Sequence, residues 1–275
     1  MVQPAFSVAS DGTRPSHGGF TSTRFVLVEP SHPGNVGAAA RALKTMGFSR
    51  LVLVAPRVAQ VQRDPEAIAM ASGADDVLAA AHVVPTLAHA LAGAHWSLAL
   101  TARTREYGPP PRAPRAAVLD ACRQVPHGDI ALVFGNERTG LSNEDVERCS
   151  ALAHIPANPA YSSLNLAQAV QVLAYELRLA YLDGGTGAAL PEAGAAAPTV
   201  ATPLATSEDI ERMFVHLENA LIALEFLDPA HPKKLMSRLR RLFARSGLER
   251  EEVSIVRGIA KQILLLKGKA DGDPH

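Results

Sequence analysis

Five short runs in this chain are apolar along their length, without the polar alternation of a half-exposed strand: Phe25–Pro30, Leu51–Ala55, Trp96–Leu100, Ile130–Phe134 and Ala151–Pro156. A strand that is apolar on both faces has to be covered on both faces. Stretches of helical periodicity lie between these runs and can provide the cover. The alternation predicts an α/β fold, a parallel sheet with helices on both faces. The helical stretches fall at Asn35–Met46 (stopped by Gly47), at roughly 64–71, 85–93 and 114–123, at Ser142–Arg148, and at Leu164–Leu182. Ser142 opens its stretch with a Ser-x-x-Asp capping pattern. In the last stretch Leu166, Ala169, Val170, Leu173 and Leu177 recur at helical spacing and define one apolar face.

Composition changes abruptly after this point. Residues 184–205 are dominated by Gly, Ala, Pro and Thr and read as a linker. Three further helices follow, from Ser207 to about Glu225, near 233–245 and near 249–267, forming a small all-helical unit. The domain expectation is therefore a flexible polar extension over 1–23, an α/β domain over 24–183, the linker, and a helical unit over 206–270. The chain has 275 residues, of which 47% are apolar, which suffices for a sizeable core.

The formal net charge is zero, but its distribution is uneven. Residues 184–230 carry one basic and seven acidic side chains, whereas 231–270 carry eleven basic and three acidic. Such a block is either a solvated helix surface or a polyanion-binding face. Cys122 and Cys149 lie outside any CxxC pair or His spacing, so neither a disulfide framework nor a metal site is indicated. No apolar run reaches membrane-span length, and the N-terminal residues lack the apolar segment of a secretory signal. The expected location is the cytoplasm.

Three glycine-bearing turns lie just past strand ends, where parallel sheets bind ligands. They are Glu29-Pro-Ser-His-Pro-Gly-Asn-Val-Gly-Ala-Ala-Ala-Arg41, Phe134-Gly-Asn-Glu-Arg-Thr-Gly-Leu141 and Ile155-Pro-Ala-Asn-Pro-Ala-Tyr-Ser-Ser-Leu-Asn165. Each alone could be a helix-capping loop. Together they place Asn35, Arg41, Glu137, Ser163 and Asn165 at the ends of strands of one sheet, which makes a site. There is no GxGxxG after the first strand and no GxxxxGK[ST], which disfavours a nucleotide-dependent oxidoreductase or a P-loop enzyme.

In this order, Asn35-Val-Gly-Ala-Ala-Ala-Arg41, Phe134 to Leu141, and Ser163-Leu-Asn165 leading into a helix resemble the three motifs of the SPOUT-class RNA ribose 2′-O-methyltransferases. Ala157 to Val172, Lys234-Leu-Met-Ser-Arg-Leu-Arg-Arg-Leu-Phe243 and Ile255-Val-Arg-Gly-Ile259 are similar to the TrmJ branch of that class. The resemblance spans about 24–268.

It implies a deep C-terminal trefoil knot and a pocket for S-adenosyl-L-methionine (SAM) against Leu100, Thr101, Ala102, Gly135, Gly140, Ile155, Ser162, Ser163 and Leu164. It implies methylation of a ribose in the tRNA anticodon loop, on cytidine or uridine at position 32. Ribosomal RNA as substrate, or a non-catalytic RNA-binding dimer of the same fold, are the alternatives. It also implies a homodimer in which Arg41 faces the partner's SAM; the Ala-rich helices 35–46 and 164–182 are candidates for either the dimer interface or the monomer core. Glycines at 135 and 140 would allow close backbone approach to the ligand. The sequence departs from the pattern at Ala99-Leu100, where a glycine is frequent, which predicts a bulkier pocket wall.

Arg41 is expected at the reacting ribose, with surface ion pairing as its plain alternative. Glu137 is expected to hold a loop backbone or to bridge to Arg41, and Asn165 to tie the loops or cap its helix. Arg103 and Arg105 are candidate phosphate contacts, as are Lys233, Lys234, Arg238, Arg240, Arg241 and Arg245 of the tail. Leu235, Leu239 and Leu242 are expected to pack the tail helices together. No metal site, membrane contact or protein partner other than a second copy is indicated.

Overall fold

The computed structural model describes residues 19–102, 110–183, 204–244 and 247–270. Six parallel strands form one sheet in the order β3-β2-β1-β5-β4-β6, with β1 at Thr23–Val28, β2 at Arg50–Val54, β3 at His82–Val84, β4 at Ala94–Leu100, β5 at Asp129–Phe134 and β6 at Ala151–Ala153. The five apolar runs are all strands. The sixth, β3, went unseen because two of its three residues, His82 and Val83, are exposed, whereas the equally short edge strand β6 is mostly buried.

Successive strand residues serve opposite cores, as the strand period of two requires. Phe25, Leu27, Leu51, Leu53, Leu132 and Phe134 join one buried cluster. It packs under α1 (Pro33–Met46), α2 (Pro65–Ala71), α3 (Asp75–Ala79), α5 (Pro114–Gln124) and α7 (Leu166–Leu182). Val26, Val28, Val52, Val54, Ala131 and Val133 point the other way, to α4 (Leu87–Leu91) and α6 (Asn143–Glu147). The double cover read from the sequence is the observed architecture. α3 was missed because, unlike the equally short α4 and α6, which Thr86 and Ser142 cap, it has no side-chain cap to announce it.

Small residues in α1 and α7 serve the core of the monomer. Gly34, Gly37, Ala39, Ala40 and Ala42 of α1 and Ala169, Ala174 and Ala180 of α7 are buried. A Cβ on Gly37 would lie 1.9 Å from the Ala67 carbonyl oxygen, so α1 and α2 approach as closely as they do only because that residue is glycine. α1 ends at Gly47, whose φ of 86° lets its N–H reach back to the last turn.

Two domain boundaries shift. Residues 19–23 belong to the α/β domain rather than to an extension: the Phe20 ring lies 5.1 Å from Phe48 and 5.2 Å from Tyr181, and buried Thr23 donates to the Gly19 carbonyl. The tail unit begins by Leu204, which bridges to Glu249, and Ala205 is fully packed. The linker expectation thus overran the core of the tail, since a lone Ala-Thr pair reads as linker composition.

The tail comprises α8 (Ser207–Ala223), α9 (Leu235–Phe243) and α10 (Arg250–Ala270) around Met213, Phe214, Leu248 and Val253. Met236, Leu239 and Phe243 are the α9 residues that face this cluster. Of the expected stripe, Leu239 packs there, while Leu242 is exposed. Both triplets have helical spacing, so spacing alone does not choose between these neighbouring faces.

Candidate active site

The three glycine-bearing loops meet at the carboxyl ends of β1, β5, β4 and β6, and a chain of hydrogen bonds joins them. Glu137 stands at its centre. Its Oε2 accepts from Ser31 N (2.9 Å) and Ser31 Oγ (2.8 Å); its Oε1 accepts from His32 N (3.2 Å) and Asn35 Nδ2 (2.9 Å). Asn35 Oδ1 in turn accepts from Asn165 Nδ2 at 2.8 Å. Asn165 completes the chain by capping α7: its Oδ1 accepts from Ala167 N and Gln168 N, and Gln168 Oε1 accepts from Asn165 N.

Both roles considered for Asn165 are therefore real, because one amide oxygen caps while the amide nitrogen ties the loops. Asn165 is the cap, so α7 starts at Leu166 and leaves Leu164 free to line the pocket. Glu137 holds a loop backbone and does not bridge to Arg41. Burial pushes its carboxyl up, but the donors from Asn35 and Ser31 outweigh this and hold it below the ordinary value.

The loops surround a half-open cleft with an empty volume of about 790 Å³ that includes its mouth. Leu100, Thr101, Ala102, Gly135, Gly140, Ile155, Ser162, Ser163 and Leu164 all line it, together with Phe134, Arg138, Thr139, Leu166 and Ala169.

Within the protein the two glycines also serve the loop itself. A Cβ on Gly135 would meet the Gly140 carbonyl carbon and the Leu141 nitrogen at 2.2 Å, so this residue lets the loop close on itself. Gly140 has open space around it but a φ of 69°, a conformation that suits glycine.

Two residues that shape the site were missed. Asn136 donates to the Glu29 carbonyl (2.6 Å) and its Oδ1 accepts from Arg138 N (2.9 Å), which fixes the tip of the loop. Ser31 supplies two of the four donors to Glu137. The available signal was weak, since Asn and Ser in Gly- and Pro-rich turns are ordinary turn formers.

Arg41 lies exposed on α1, and among the described residues no carboxylate pairs with it. Arg103, Arg105 and Arg245 lie outside the described residues. Lys233, Lys234 and Arg238 are exposed and Arg241 is half-buried. Arg240 is engaged within the protein: it pairs through both nitrogens with Glu211 (2.6 and 3.1 Å) and stacks 4.4 Å above the Phe214 ring. Glu211 also pairs with Arg148 of the α/β domain at 2.9 Å, so one carboxylate joins the two units. A charge count cannot separate such an arginine from a free one.

Cys149 is buried and Cys122 half-buried, and burial pushes their thiols up to about 12 and about 11, where they stay protonated at neutral pH. Among the described residues, no group of three or more His, Cys, Asp or Glu side chains could hold a metal, and no helix is long and apolar enough to cross a membrane.

A parallel sheet whose strand-end loops knit into one cleft through Glu137, Asn35 and Asn165 defines a methylase of the SpoU class, and residues 22–175 match the SpoU rRNA Methylase family. Residues 208–273 match the C-terminal domain of the tRNA methyltransferase TrmJ, and the chain belongs to the TrmJ family. It is 45% identical over 259 residues to the tRNA (cytidine/uridine-2′-O-)-methyltransferase TrmJ of Yersinia enterocolitica, covering 92% of this chain and 96% of that one. It is 46% identical to the tRNA (cytidine/uridine/adenosine-2′-O-)-methyltransferase TrmJ of Pseudomonas aeruginosa, covering 86% and 91%. The crystal structure of TrmJ from Z. mobilis superposes with a TM-score of 0.74 at 33% identity, covering 88% of this chain and 98% of that one.

Proposed function

We propose that this chain is a tRNA ribose 2′-O-methyltransferase that uses SAM to methylate cytidine or uridine at position 32 of the anticodon loop, acting as a homodimer in the cytoplasm. The observation that carries the reading is the hydrogen-bonded chain Ser31–Glu137–Asn35–Asn165, which holds three distant loops around one cleft. The lining suits SAM. Leu100, Ile155 and Leu164 offer apolar walls for a purine, and Ser162, Ser163, Thr139 and loop backbone offer neutral polar partners. Bound there, SAM would supply an electrophilic methyl group on a sulfonium.

The protein's task is then to place the ribose hydroxyl and manage its proton. A guanidinium does not deprotonate in proteins, so Arg41 is no base. It clamps the phosphate of the target nucleotide and offsets charge developing on the 2′-oxygen, while a substrate phosphate oxygen takes the hydroxyl proton. Glu137 and Asn165 position the loops without touching the reacting atoms. Lys233, Lys234, Arg238 and Arg241 are assigned to the tRNA backbone; Arg240, held by Glu211, is not.

The test is Arg41→Ala assayed with tritiated SAM on tRNA, alongside calorimetric SAM titration. Turnover should fall by about 100-fold or more with SAM affinity retained. Near-normal turnover would remove Arg41 from the reaction.

A further inference from the structure

The arginines of the α/β domain sort by partner. Arg24 and Arg50 pair with Asp129, Arg57 with Glu29, Arg112 and Arg123 with Asp120, Arg115 with Glu176, and Arg148 with Glu144 and Glu211; Arg178 donates to the Met46 carbonyl. Among the described residues, Arg41, Arg63 and Arg138 have no such partner. Arg41 is assigned to the target nucleotide, and Arg138 stands at the rim of the same cleft. Arg63 stands elsewhere, on the border of a separate cavity past the ends of β2 and β3, with an empty volume of about 1150 Å³ including its mouth.

This half-open cavity offers both apolar and polar surface. Pro56 and Val83 supply apolar surface, and Val83 is 51% exposed. Gln60 and Gln62 line it with two carboxamides, each able to donate and accept. Gln62 Nε2 is anchored on the Ala81 carbonyl at 3.3 Å. Gln60 is exposed and held at a φ of 52°, a conformation unusual for a side-chain-bearing residue. The next residue, Val61, is buried in the main core and fixes the one-turn helix Val61–Arg63 in place.

We infer that this cavity is a second RNA subsite, which takes a single-stranded ribonucleotide flanking the methylated one. Arg63 holds its phosphate, and Gln60 and Gln62 address the edge of its base. The inference rests on the proposed tRNA methyl transfer. The sheet order places β2 and β3 two and three strands from β5, which at about 4.8 Å per strand is roughly 10–15 Å. At about 3.4 Å per stacked nucleotide that span corresponds to roughly three or four nucleotides, the scale of an RNA loop.

The experiment compares the full chain with Arg63→Ala and with the double variant Gln60→Ala/Gln62→Ala. It measures tRNA affinity by fluorescence anisotropy across a salt series, SAM affinity by calorimetry, and methyl transfer in single turnover. Arg63→Ala should bind tRNA about tenfold more weakly, with a log–log salt slope shallower by about 0.7, while SAM affinity is unchanged. The double variant should lose affinity with its salt slope intact.

The subsite is overturned if Arg63→Ala binds tRNA within twofold of the parent chain at the same slope, or if either variant loses SAM affinity in step with tRNA affinity. An unsubstituted chain that transfers methyl groups to tRNA confines that failure to the subsite. An unsubstituted chain that transfers none overturns the functional proposal and the subsite with it.

Discussion

Replacing Glu137 by glutamine tests the assembly of the cleft with a change of one atom. The carboxylate accepts two hydrogen bonds on each oxygen. A glutamine offers one carbonyl oxygen and one NH₂ group, so whichever way the amide turns, two donors face a group that cannot accept. Hydrogen bonds to a charged acceptor contribute about 1.5–3 kcal/mol each. The Ser31 hydroxyl can rotate to water and the site is only part-buried, so the lower end applies, and Glu137→Gln should cost about 2–3 kcal/mol in urea unfolding. SAM affinity should fall by about tenfold, since a loop that loses about 1.4 kcal/mol of its bound-like geometry loses that factor.

The pH dependence carries a sign. Glu137 titrates below its ordinary value of 4.5, so its contribution is complete above that value and is lost as pH falls through the lower native one. The stability gap between the two proteins should be widest near neutral pH and should close in acid. A Glu137→Gln protein within about 0.5 kcal/mol of the parent at pH 7, with equal SAM affinity, would refute the central role given to this carboxylate.

The glycines of the same loop should separate by mechanism. Gly135→Ala forces a carbon against the Gly140 and Leu141 backbone and should abolish measurable SAM binding, whereas Gly140→Ala meets open space and should cost only the left-handed backbone term, about 1–2 kcal/mol by urea unfolding. Asn165→Asp keeps the oxygen that caps α7 but removes the donor to Asn35; stability should change by less than about 1 kcal/mol while SAM affinity drops, and Asn165→Ala should lose both.

The strands and the long helices were legible because burial on two faces writes itself into sequence as unbroken apolar runs, and burial on one face as helical spacing. β3 escaped because two of its three residues are exposed and leave no apolar run, and α3 because it has no side-chain cap to announce it, unlike the equally short α4 and α6. At the site, Asn35, Glu137 and Asn165 could be picked out by their places after strand ends. Their wiring could not, because nothing along the chain says that Glu137 would take Ser31 rather than Arg41. Arg240 shows the same limit from the other side: the acidic stretch before it supplies Glu211, and only folding pairs the two.

The contacts that close the cleft join residues 102 to 130 positions apart in the chain. Linking such distant segments carries the entropy of closing long loops, which must be met before the contacts themselves can form. The first glycine loop meets Glu137 of the second loop earlier in the chain, but its tie to Asn165 forms only once the α7 start has been made and has docked. A chain halted short of Asn165 has no ligand cavity to offer, so nucleotide or donor binding would report completion of the whole domain and not the arrival of any one motif.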